Sequence, residues 1–189
     1  MNSLVAVIVG ASLAFVGTMF DNYFAFATQL LVTDKEHYRR VAIAQAIGVG
    51  CLLIVAVGVS SLLHFVPLRV VGLFCVAPWA LAWYAFQHRH DERRQQYKRG
   101  ALTTFVVTIA LGGDNLAVWI PLVRANSTLR GLATVVVFAV WEVLFIVSAQ
   151  AAAGHPRVVA WGTKTGPLLV PWVYVGLGFL ILIECHTFT

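Results

Sequence analysis

Six apolar blocks, each long enough to cross a bilayer, constrain this chain more than any other feature of its sequence. The blocks run over residues 4–31, 41–63, 66–86, 101–123, 129–152 and 167–184. A hydrocarbon core needs about 20 mostly apolar residues per helix. The chain is also 60% hydrophobic and only 11% charged, whereas soluble domains are roughly a quarter charged. We therefore predict an all-α integral membrane protein with six transmembrane helices.

A single polar stretch, "QHRHDERRQQYKRG", divides the apolar blocks into two groups of three. We interpret residues 1–189 as one membrane domain made of two three-helix repeats, 1–87 and 101–189, joined by a cytoplasmic connector, 88–100. The first block extends past the length of a signal-peptide apolar core, so we expect it to be retained as the first helix.

The basic residues indicate the orientation of the chain in the membrane. The turns after the first, third and fifth blocks contain Lys35, Arg39, Arg40, Arg89, Arg93, Arg94, Lys98, Arg99, Arg157 and Lys164. The turns after the second and fourth blocks contain only Arg69, Arg124 and Arg130. Because basic loops favour the cytoplasmic side, both termini are expected outside. This topology also accounts for the net charge of +5, and we expect no nucleic-acid partner.

The two halves share short sequence matches in the same order. "TMFDNYFAF" in the first block matches "LGGDNLAVW" in the fourth, and "PLRVVGL" in the third matches "PWVYVGL" in the sixth. Since each half has three spans, the second half must cross the membrane in the opposite sense. Inverted repeats are typical of secondary transporters, whose substrate site lies near the midplane at the repeat interface.

Asp21 and Asp114 are the residues of these matches that most need an explanation. Each aspartate at mid-bilayer costs about 2.5–3.5 kcal/mol on insertion scales. A bound cation, a shared proton or a water-filled cavity would offset this cost. The alternative is a structural carboxyl group that is protonated and hydrogen-bonded between helices.

The neighbouring Asn22 and Asn115 add amide oxygens beside the two carboxylates. Adjacent residues of a regular helix point about 100° apart, so unwinding would help both side chains to reach one ion. Gly112, Gly113 and Pro121 favour such unwinding in the fourth block. We predict a metal site made of the two aspartates and the two asparagines.

The first block, in contrast, is expected to be a regular helix. Its small and polar residues fall on one face at steps of three and four: Gly10, Ala14, Gly17, Asp21, Ala25 and Thr28, with Thr18 adjoining them. Such a face suits close helix packing, either within the chain or in a homodimer. Thr18 is a secondary site candidate.

Three further polar residues of the apolar blocks are candidates for secondary or proton-coupling roles. Gln45 suits either helix packing or function, Glu142 is a candidate proton site or supporting ligand, and Glu184 begins "ECHTFT". Cys185 and His186 could join Glu184 around a soft metal, although a polar helix end is equally ordinary. Cys51 and Cys75 are interpreted as small apolar residues, and the tryptophans and tyrosines as interface anchors and packing residues.

Other chemistries find little support in the sequence. The connector residues His88, His90, Asp91 and Glu92 could recruit a divalent ion, but we favour the simpler interpretation that they belong to a charged cytoplasmic loop. No protease, kinase, phosphate-loop or nucleophile motif is present, so we expect neither an enzyme nor a bound cofactor. A membrane-embedded enzyme or assembly partner would not need matched aspartates.

The segments "IALGGDNLAVWIPLV", "KEHYRRVAIAQAIG" and "VYVGLGFLILIECHT" resemble those of the cadmium-resistance transporters of the lysine-exporter superfamily. This resemblance implies export of cadmium or a related divalent cation across the bacterial inner membrane, with the two Asp-Asn pairs as ion-handling positions. We expect proton antiport by alternating access. Manganese is an alternative substrate, since oxygen ligands suit harder ions than cadmium. An amino acid is another, because a cationic one could use the same two carboxylates.

Overall fold

The computed structural model describes residues 4–88 and 100–185, which form helices and turns without any strand among them. The helices are α1 (Leu4–Thr18), α2 (Phe20–Leu31), α3 (Tyr38–Leu62), α4 (Leu68–Val71), α5 (Val76–His88), α6 (Ala101–Ala110), α7 (Gly113–Ala125), α8 (Thr128–Ala153) and α9 (Pro156–Glu184). Short 3₁₀ turns occupy Lys35–His37, Leu63–Phe65 and Gly72–Cys75.

The helices include enough long apolar segments for a multi-pass membrane protein. Within the described residues, Lys35–Phe65 and Leu129–Ala153 are each long and apolar enough to cross a bilayer as a single helix. Three bent segments reach that length as pairs, namely α1 with α2, α6 with α7, and the two parts of α9. Up to five spans are therefore recognised, and the sixth remains a prediction.

The third apolar block is the one that departs most from a continuous helix. Residues 66–86 were expected as one span, but the chain forms α4, the 3₁₀ turn Gly72–Cys75 and then α5. Pro78 lies in the first turn of α5 and has no N–H for the carbonyl four residues earlier, at Phe74. Gly72 adds a residue of low helix propensity at the start of the turn. The backbone therefore forms a 3₁₀ turn, and not a continuous α-helix, between Gly72 and Pro78.

Apolar side chains cover the outside of the bundle, and polar side chains lie inside it. On α8, for example, Leu132, Val136, Val140, Val143 and Val147 are all more than half exposed. The buried polar residues include Thr18, Asn22, Gln29, Gln45, Ser60, Thr104, Thr108, Asn115, Thr134 and Glu142. An apolar exterior around a polar interior is the arrangement expected for a helical bundle in lipid.

Loop contacts bring together segments that the sequence assigns to the same side of the membrane. Arg124, at the end of α7, donates to the carbonyls of Leu63 and Val66 after α3, at 2.9 and 3.0 Å. At another loop end, the Gln29 amide donates to the Gly100 carbonyl at 3.5 Å. The end of α7 therefore lies beside the end of α3, and the end of α2 lies beside the start of α6.

A cavity of about 330 Å³ lies between the end of α2 and the starts of α3 and α6. Its lining residues are Thr33, Asp34, His37, Arg40, Val41, Gly100 and Ala101. This is the end of the molecule that the positive-inside pattern predicts to face the cytoplasm.

Candidate functional site

Both Asp-Asn pairs lie in the first turn of a helix that follows a break in its span. The segment formed by α1 and α2 bends by 53°, and the segment formed by α6 and α7 bends by 59°. Met19, two residues before Asp21, has φ −87° and ψ 2°. Gly112, two residues before Asp114, has φ −85° and ψ 0°. The two halves therefore share a backbone conformation as well as a sequence match.

The break in the first span corrects the expectation of a regular helix there. No glycine or proline lies at the break, but the Thr18 hydroxyl donates to the Ala14 carbonyl at 2.9 Å. Back-bonding of this kind bends helices. In the fourth span, Gly112 stands at the break as expected, whereas Pro121 lies within the continuous helix α7 and does not cause the break.

The Asp114 carboxylate is held by two hydrogen bonds. Its Oδ1 accepts the backbone N–H of Asn115 at 2.8 Å, and its Oδ2 accepts the hydroxyl of Tyr174 from α9. Tyr174 is only 6% exposed, so its hydroxyl is well shielded from the surroundings. The sequence interpretation had treated such tyrosines as packing residues and missed this contact.

Asp21 belongs to the same electrostatic group but is held less tightly. Its carboxylate lies close enough to Asp114 and Tyr174 for an electrostatic interaction, and the residue is exposed. No hydrogen bond to its carboxylate occurs within the described ranges. The residue that corresponds to Tyr174 in the matching "PLRVVGL" stretch is Val70, which has no hydroxyl to donate.

The two asparagines meet at a residue that the sequence interpretation did not consider, Met19. The side-chain amide of Asn115 donates to Met19 Sδ at 3.3 Å, and that of Asn22 approaches the same sulfur at 3.7 Å. Asn115 is completely buried, and its Oδ1 has no hydrogen-bond partner in the described part of the chain. The predicted ligands Asn22 and Asn115 are thus brought together by a sulfur atom.

Thr18 links the end of α1 to α7 through a hydrogen bond. Its hydroxyl accepts the indole N–H of Trp119 at 3.1 Å while donating to a backbone carbonyl. Trp119 stacks on Phe15 with ring centroids 5.9 Å apart, and both rings contact Phe138 of α8. This buried ring cluster packs the end of α1, which precedes the Asp21–Asn22 turn, against α7, which begins with the Asp114–Asn115 turn.

A second buried polar cluster contains Gln45 and Glu142. The Thr108 hydroxyl donates to Gln45 Oε1 at 2.5 Å, and the Gln45 amide interacts with the Glu142 carboxyl group. The geometry of that second contact falls short of a hydrogen bond, because Gln45 Nε2 and both Glu142 oxygens lack partners among residues 4–88 and 100–185. Glu142 is 6% exposed. The structure therefore places Gln45 and Glu142, two of the four secondary candidates, near each other.

The remaining metal-ligand candidates gain no support from the described residues. Residues 89–99, His186 and the side chains of His88 and Glu184 lie outside that description. Cys51, Cys75 and Cys185 are within it and form no disulfide. Groups of three or more His, Cys, Asp or Glu side chains that could hold a metal are absent from this part of the chain. An ion at Asp21 and Asp114 would therefore need ligands of other types.

Comparison with protein families gives one match, to a family described as cadmium resistance transporter, over residues 15–189. No curated protein and no solved structure matches the chain.

Proposed function

The chain belongs to the cadmium resistance transporter family, and on this premise we propose that it exports a divalent cation, cadmium, from the cytoplasm of a bacterial cell across the inner membrane. The observation that carries the proposal is the matched placement of Asp21 and Asp114, each in the first turn after a break in its span. Irregular backbone at membrane depth is tolerated where it lines a cavity or a site, and broken helices often form transporter substrate sites.

The ion would bind between the two carboxylates. Two uncompensated aspartates would cost at least about 5 kcal/mol on insertion scales, and a divalent cation would remove most of that cost. Tyr174 and the backbone N–H of Asn115 fix the orientation of the Asp114 carboxylate. Asp21 lacks such a hydrogen bond in the described part of the chain, so its carboxylate can adjust to the ion. Asn22 and Asn115 would complete the site with amide oxygens.

We assign the energy source to a proton gradient, with alternating access between the two sides of the membrane. A proton and a cation would compete for the carboxyl groups of Asp21 and Asp114, which couples their movements. Glu142 is the candidate proton carrier, since an unpaired buried carboxylate is costly and a proton removes its charge. Gln45 of α3 lies near this carboxyl group and would orient it through a hydrogen bond from its side-chain amide.

Six spans in two inverted repeats are the arrangement that best suits this mechanism. The matching conformations at Met19 and Gly112 support the repeat. The contacts of Arg124 and Gln29 support loops that alternate between the two ends of the bundle. In such folds one repeat rocks against the other around a fixed site, and here the two bends would be the points of motion.

The deciding experiment is transport by the purified protein in proteoliposomes, with Asp114→Asn as the variant. We expect cadmium flux in the unaltered protein and none in Asp114→Asn, because the amide cannot supply the negative charge. Asp34→Asn, which makes the same chemical change outside the site, is the matched control and should keep full flux. Normal flux in Asp114→Asn would refute the proposed site.

A panel of substrates distinguishes the alternative exporters. Cadmium, manganese and lysine are each tested with and without a pH gradient. Flux of lysine without any metal flux would point to an amino-acid exporter that uses the two carboxylates for a cationic substrate. Metal flux that ignores the pH gradient would remove the proton-coupling part of the proposal.

A further inference from the structure

Met19 contacts both asparagines of the candidate site. It stands at the break between α1 and α2 and is 1% exposed. Its sulfur is the shared acceptor for the side-chain amides of Asn22 and Asn115, which come from different halves of the chain. The chain contains only two methionines, so Met19 is the one methionine beyond the first residue.

One polar atom beside this sulfur lacks a hydrogen-bond partner among the described residues. Asn115 Oδ1 has no partner although the side chain is fully buried. Buried amide oxygens are normally hydrogen-bonded, so this one is available to a ligand. Rotating the Asn115 amide by half a turn would exchange its nitrogen and oxygen and would place that oxygen next to Met19 Sδ.

We propose that the Met19 thioether is a direct ligand of the transported cation and makes the site selective for soft ions such as cadmium. This inference rests on the proposed function. Asp21 and Asp114 supply negative charge, but their oxygens are hard donors. The described residues bring no third His, Cys, Asp or Glu to the site. Sulfur donors select soft ions over magnesium, calcium and manganese. Met19 would therefore give an otherwise oxygen-rich site its preference.

The second half of the chain cannot supply an equivalent sulfur. The position that matches Met19 is Gly112, and a side chain there would collide with Leu52. The site therefore has a single thioether, placed between the two asparagines. A methionine that only filled space would also be buried, so the test must separate ion preference from packing.

The first test compares cadmium and manganese affinities of Met19→Leu by titration calorimetry on the purified full-length protein. Leucine keeps the volume of the side chain and removes its sulfur. We expect cadmium affinity to fall roughly tenfold or more, the scale on which metal sites respond to altered ligation. Manganese affinity should stay within about twofold, because a hard ion gains little from a thioether. Equal changes for the two ions, or no change, would overturn the proposal.

The second test needs no variant. Replacing methionine by selenomethionine labels Met19 and the first residue only, so X-ray absorption at selenium averages over two positions, of which Met19 is the one inside the candidate site. Added cadmium should produce a cadmium shell around selenium, and manganese should not. Absence of that shell in protein that binds and transports cadmium would refute the role of Met19 and leave the proposed function intact. Protein that neither binds nor transports a divalent ion would overturn both.

Discussion

Removing the Tyr174 hydroxyl is the most informative perturbation of the site, because it alters the setting of Asp114 without changing its charge. Tyr174→Phe keeps the buried ring and deletes one donor to Asp114 Oδ2. The carboxylate would then keep only the backbone N–H of Asn115, at 2.8 Å on Oδ1. It would regain rotational freedom, which cation binding must remove again. We therefore expect weaker cadmium binding.

The size of the effect can be bracketed from two limits. Immobilising one flexible side chain on binding costs about 0.5–1.5 kcal/mol, which sets the lower limit. A hydrogen bond to a charged group contributes about 1.5–3 kcal/mol, which sets the upper limit if the bond is needed only for binding. The two ranges meet near 1.5 kcal/mol, so we expect roughly a tenfold weaker cadmium affinity.

The assay is calorimetric titration of purified protein with cadmium, repeated in the Asp114→Asn background. Because the hydroxyl acts through the Asp114 carboxylate, Tyr174→Phe should have less than about a twofold further effect once that carboxylate is gone. Tyr38→Phe removes a hydroxyl from the first residue of α3, which makes none of the contacts described for the site, and should leave affinity unchanged. An affinity in Tyr174→Phe equal to that of the unaltered protein would refute the positioning role.

Two further predictions address the second polar cluster and the packing that supports it. Glu142→Gln should retain cadmium binding but lose the acceleration of cadmium flux by a pH gradient, because the amide cannot carry a proton; flux that still responds fully to the gradient in proteoliposomes would exclude Glu142 as the carrier. Gly48→Ala would place a Cβ 2.8 Å from Cγ2 of Thr108, so overpacking of about 1–3 kcal/mol should lower the melting temperature in detergent. Gly50→Ala, which meets nothing within 4 Å, should not lower it, and equal melting temperatures for the two variants would contradict this packing argument.

The straight spans could be read from the sequence nearly to the residue. The blocks 41–63 and 129–152 became α3, Tyr38–Leu62, and α8, Thr128–Ala153. Hydropathy reports directly on lipid contact, so it locates such helices well. The break at Met19 escaped prediction because it carries neither glycine nor proline, and its backbone conformation became apparent only in the folded chain.

The sequence pointed to the Asp-Asn pairs and Thr18 of the candidate site but not to Tyr174 or Met19. Asp21 and Asp114 stand out because a carboxylate in an apolar block demands an explanation. Tyr174 and Met19 belong to residue types that are ordinary in membrane helices, so their presence in an apolar block does not by itself indicate a site. Their contacts come from packing between distant parts of the chain. Tyr174 of α9 reaches Asp114 of α7, and Met19 after α1 reaches Asn115 of α7.

The differences between the two halves explain the form of the site better than their likeness does. The repeated Asp-Asn pairs supply charge and amide oxygens from both sides, and this part is symmetric. Tyr174 corresponds to Val70, so one aspartate is held by a hydroxyl and the other is not. Met19 corresponds to Gly112, so one sulfur serves both asparagines. In the proposed site, a fixed carboxylate, an adjustable carboxylate and a single soft donor would together form an asymmetric ligand set, which a strictly repeated sequence could not provide.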